Sequence, residues 1–148
     1  MKHLDSRRLA CLLAGLWAGL ILGMAAIGAP AGFATLTPDM AGRVAGRMFT
    51  QEAYLSLAVG VILLLLVRRL ARVDAEAGRG SVFSTNVVLA LGTLFCTMLG
   101  YFAIQPMMAA ARAGQGVWSF GALHGVSAVL FGLKGLLALA LAWRLSRA

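Results

Sequence analysis

Apolar positions in this chain fall into four long runs, at residues 9–36, 53–67, 87–108 and 120–143. Nearly every Lys and Arg lies between or outside them. A helix that crosses a bilayer core needs about 20 apolar residues, each adding 1.5 Å of rise. Only helices and closed barrels satisfy the backbone in lipid, and runs of this length are not barrel strands. The pattern predicts an all-α fold: an integral membrane four-helix antiparallel bundle. Its spans are expected at about residues 9–33, 50–70, 86–108 and 120–144, in a single domain over 1–148.

Smaller signals refine each run. Gly15, Gly19 and Gly23 recur every four residues, flanked by Ala14 and Ala18. Such a stripe lets another helix backbone approach closely in lipid. Packing against the chain's own helices is the expectation, with a dimer interface as the alternative. Gly28, Pro30 and Gly32 should loosen the end of this helix. Thr37-Pro38-Asp39 reads as a helix start: N-cap, first-turn Pro, first-turn acid. Residues 38–50 then form an amphipathic extension that lies at the interface or leads straight into the second span. The segment 72–86 is the most polar and reads as a loop. Gln105-Pro106 closes the third span, where Pro bends or loosens the last turns. No internal repeat is visible.

Composition agrees with the pattern. Of 148 residues, 61% are hydrophobic, and the mean hydropathy is +0.89. No soluble domain of useful size fits beside four spans. The net charge of +8 would suggest nucleic acid in a soluble protein. Here the basic residues flank the spans and mark topology instead, so no nucleic-acid partner is expected. One side carries Lys2, Arg7, Arg8, Arg68, Arg69, Arg72, Arg79, Arg144 and Arg147; the other carries Arg43, Arg47 and Arg112. Nine against three places both termini and the 72–86 loop in the cytoplasm. The expected location is the inner (plasma) membrane. The first span should be retained, because its apolar run outlasts that of a signal peptide. Cys11 and Cys96 lie at different depths on antiparallel spans and should not bond.

Polar groups inside the spans are costly and therefore candidate sites. Depth follows from counting residues up from the cytoplasmic end. Lys134 lies about 15 Å in, near the midplane; Glu52 lies about 24 Å up; Gln105 and His124 lie about 30 Å up. Gln51, Glu52, Gln105 and His124 form one layer, with Ser127 three residues below His124 on the same helix. Three readings stay open: a pocket for a small polar species, a structural hydrogen-bond cluster, and snorkelling of Glu52. Glu52, Gln105 and His124 are expected to converge in the bundle interior. Lys134 is about 9 Å below Glu52 by this count, so a water bridge would join them.

Met24, Met40, Met48, Met107 and Met108 share the outer half with His124, and thioethers with imidazole suit Cu(I). Packing is the simpler use of Met, and no Met-x-Met or Cys-x-x-Cys spacing supports a metal. Haem needs axial ligands, and only His124 lies in a span, with His3 at the wrong end. No cofactor is expected. No phosphate loop, nucleophile elbow or zinc spacing is present, so no enzyme is expected either.

Several residues look familiar in combination: Gly23-Met24, Ala29-Pro30-Ala31-Gly32-Phe33 with Leu36, Ala41-Gly42-Arg43, Gly46-Arg47-Met48-Phe49, Ile104, Pro106, and His124-Gly125-Val126-Ser127. Together they resemble the transmembrane protein 205-like family, whose bacterial members carry a domain of unknown function. The resemblance covers almost the whole chain in order and spacing. It implies a small four-span membrane protein and no established activity. Where the family pattern places a polar residue about seven positions after the His, this chain has Phe131 and Gly132. Two functions follow as expectations: binding or moving a small polar species through the polar layer, or serving as an assembly subunit for a homo-oligomer or membrane-protein partner.

Overall fold

Thr37 sits at the N-cap position before Pro38, and its carbonyl accepts from the Ala41 amide at 2.8 Å. Asp39 in the first turn pairs with Arg43 one turn on. The helix that starts here runs without a break to Glu76. The 38–50 extension therefore leads straight into the second span.

The computed structural model describes residues 2–147. The side chains of Lys2 and His3, which the charge count and the haem argument use, lie outside the described ones. The elements are α1 (Lys2–Gly23), a π-helical turn (Met24–Gly28), α2 (Ala29–Thr35), α3 (Pro38–Glu76), α4 (Thr85–Thr97), a second π-helical segment (Met98–Ala103), α5 (Ile104–Arg112) and α6 (Phe120–Arg147). They join into four helices long and apolar enough to cross a membrane: Asp5–Thr35, Pro38–Glu76, Thr85–Arg112 and Phe120–Arg147. There is no strand among the described residues.

Both π-helical stretches precede a proline. Pro30 and Pro106 each lack an amide hydrogen, and each ring crowds the carbonyl four residues back, at Ala26 and Phe102. Those carbonyls lie inside the two π segments, where the widened i→i+5 turn makes room. So the expected loosening at Gly28–Gly32 takes the form of a widened turn, and the helix continues through it to Thr35, close to the expected end near residue 33.

The long helices pack in a ring. α1 lies against α3 and α6, and α4 against α3 and α6. Arg7 Nε donates to the Leu145 carbonyl at 3.4 Å, so the start of α1 lies beside the end of α6. Arg144 Nε donates to Asn86 Oδ1 at 3.0 Å, bringing the start of α4 to the same end. The core is built of small residues from α1 (Ala10, Ala14, Ala18) against Leu63 and Val67 of α3 and Leu141 of α6. Outside, Leu16, Leu65, Phe95, Val129 and Leu136 are exposed. A surface this apolar has no place in water and matches a bilayer.

The glycine stripe of α1 does not face the bundle. A Cβ added at Gly15, Gly19 or Gly23 would meet nothing within 4 Å, while Ala14 and Ala18 are fully buried. Adjacent positions differ by about 100° around a helix, so the alanines turn inward and take the glycines off the contact face. Cys11 and Cys96 are free thiols.

Candidate functional site

Lys134, on α6, reaches Glu52, on α3, directly. Its Nζ donates to Glu52 Oε1 at 2.7 Å and Oε2 at 2.8 Å. Both residues are only 3% exposed. No water bridge is needed: the expected 9 Å gap is counted between backbone positions, and the two side chains close it. Part of the rise is covered by the four-carbon Lys stem.

One helical turn below Glu52 on the same face, Ser56 donates its hydroxyl to Glu52 Oε1. Ser56 Oγ in turn accepts from Trp17 Nε1 at 2.7 Å and lies 3.4 Å from Lys134 Nζ. Phe131, one turn before Lys134, offers its ring face to the ammonium at 4.7 Å. Three of the four long helices thus meet in one buried polar knot. Sequence reading omitted Ser56 and Trp17. An indole N–H inside an apolar span must find an acceptor, and a Ser four residues from a buried Glu shares its face.

The rest of the expected layer does not join this knot. His124 is exposed and stacks on Phe120 at 5.7 Å, where Arg112 also lies over the ring at 4.4 Å. Gln105 is half-buried. Among the described residues, no hydrogen bond links either to Glu52. The expected convergence of Glu52, Gln105 and His124 is therefore corrected, since equal height says nothing of which way a side chain points. Ser127 has a different partner: its hydroxyl donates to the Gly100 carbonyl at 3.1 Å, inside the second π segment. Tyr101 of that segment donates to Thr50 Oγ1 at 2.8 Å.

Gln51 is exposed, and with Glu52 it lines an open groove of about 220 Å³ whose other walls are Leu20, Met24, Met48 and Leu55. Met24 opens the first π turn, and Met48 packs against Gly28 at its other end. Glu52 therefore belongs to both the buried knot and the wall of the groove. Among the described residues, no group of three His, Cys, Asp or Glu side chains is placed to hold a metal.

A family defined by a domain of unknown function, DUF4149, matches residues 12–116. The chain belongs to this family. No curated protein and no solved structure shows a significant match. The DUF4149 match contains Trp17, Glu52 and Ser56 and stops before α6. Lys134, the cation of the knot, lies outside the matched DUF4149 segment.

Proposed function

We propose that this chain is a multi-pass protein of the plasma (inner) membrane, without enzymatic activity, that binds a small polar species beside Glu52 and Lys134. The carrying observation is the double role of Glu52, held by Lys134 in the interior and bordering the open Met24–Met48–Gln51 groove. Intramembrane ionisable groups mark ligand or ion sites by default, and π turns gather at such sites. The finer transmembrane protein 205-like kinship belongs to this reading, as does an antiparallel arrangement with both termini cytoplasmic. The contacts of Arg7 with Leu145 and of Arg144 with Asn86, which gather the basic ends together, support that orientation.

The test is native mass spectrometry of the chain purified in mild detergent. Wild type should retain a small species. Glu52→Gln/Lys134→Met, which leaves no lone charge, should insert normally and lose it. Wild type retaining nothing, or equal retention by the double variant, would sink the reading.

A second reading, an assembly subunit with a like or unlike membrane partner, rests on the outward Gly15-Gly19-Gly23 row. A close-approach face that no helix of the same chain occupies is suited to a helix from another.

A further inference from the structure

We propose that the cleft between the end of α3 and the start of α4 binds the headgroup of an anionic phospholipid. The site is separate from the Glu52 knot and independent of the function proposed there. It is the larger of the two concavities described, about 420 Å³. Arg68 and Arg72 stand on its α3 wall, beside Leu64. Phe83 and Val82 contribute from the link that follows α3, and Val87 and Leu91 from α4.

Three features of this wall fit a lipid. First, the two guanidiniums lie one turn apart, about 6 Å along the helix. Among the described residues, no hydrogen bond or ion pair engages either of them. Two other arginines at this end are occupied: Arg79 bonds Asp74, and Arg144 bonds Asn86. Planar guanidinium forks match phosphate oxygens, and basic pockets beside membrane helices bind anionic headgroups. Second, the first turn of α4 borders the cleft with the positive end of its dipole. Ser84 already accepts from the Val87 and Val88 amides. Third, the cleft is apolar below its charge. Leu64 and Leu91 lie a turn or more deeper than Arg68 and the α4 start. On the same two helices, Leu65 and Val88 at the level of the cleft are exposed and apolar. Phe83 is 71% exposed within the chain's most polar link. An aromatic ring there is costly in water and at home among acyl chains. A soluble phosphate would use the arginines and gain nothing from this floor; a diacyl lipid uses both.

The test uses native mass spectrometry of the full chain with phosphatidylglycerol or phosphatidylcholine added to detergent. Wild type should retain phosphatidylglycerol at least tenfold better. Arg68→Gln/Arg72→Gln should lose that preference. Arg43→Gln/Arg47→Gln, which removes equal charge at the other end, should keep it. Phe83→Ser leaves the charge unchanged and should weaken retention severalfold, which carries the test if the double arginine variant inserts wrongly. Three results would overturn the proposal: no headgroup preference in wild type, undiminished preference in the Arg68/Arg72 or Phe83 variant, or displacement of the lipid by equimolar glycerol 3-phosphate. The last would make the cleft a site for soluble phosphate.

Discussion

Glu52 and Lys134 are tolerable in an apolar interior only together. Each alone would leave a charge in a medium that solvates it poorly, and breaking one member of a buried pair costs about 3–5 kcal/mol. Glu52→Gln and Lys134→Met should each destabilise the protein by an amount of that order. The double variant should lose clearly less than their sum, and denaturant unfolding in micelles reads all three. Additive losses would show that the two act independently. Lys134 is legible in the sequence because a midplane ammonium demands a partner, and Glu52 is the span acid nearest to it in height. His124 and Gln105 were misjudged together. Counting along a helix gives height, while the angle around it decides what a side chain meets. His124 stands ten residues before Lys134, or about 80° away around α6 after whole turns are removed. That rotation turns it from the knot, and Phe120, one turn earlier on the same helix, stacks on it.

At the scale of elements, glycine has two opposite uses here. At Gly100 a Cβ would stand 3.2 Å from the Leu130 Cβ, an atom that no rotamer can move aside. At Gly19 it would meet nothing within 4 Å. Gly100→Ala should therefore cost about 1–3 kcal/mol through forced separation of the third and fourth long helices. Gly19→Leu should leave the thermal unfolding of the monomer unchanged and reduce crosslinked oligomers in native membranes. A lower melting temperature for Gly19→Leu would mean that the row packs internally after all. The four long helices were plain in the sequence, since length and hydropathy set them. How the first of them passes Pro30 was not, because proline reads only as a loosened end. The i→i+5 turn that absorbs it leaves no pattern in residue type. Ser127 shows the same limit: its carbonyl partner, Gly100, lies inside the second widened segment.

For the whole molecule, the ring of four long helices and the gathered basic ends make a definite expectation of sidedness. Reporters fused after residue 148 and inserted within 113–116 should report opposite sides of the membrane, cytoplasmic for the first. The same side for both would overturn the four-span topology. α3 adds a dimensional constraint. Its 39 residues span about 58 Å, against a hydrocarbon core of about 30 Å. It must project beyond the core or tilt strongly. The knot at its inner side has an electrical consequence. One elementary charge carried across the membrane exchanges about 2.3 kcal/mol with every 100 mV. Glu52 and Lys134, with opposite charges 2.7 Å apart, present that field with a short dipole and no net charge. A swing in membrane voltage should therefore leave the intact bundle unmoved, and only separating the two partners would make it a voltage-responsive body.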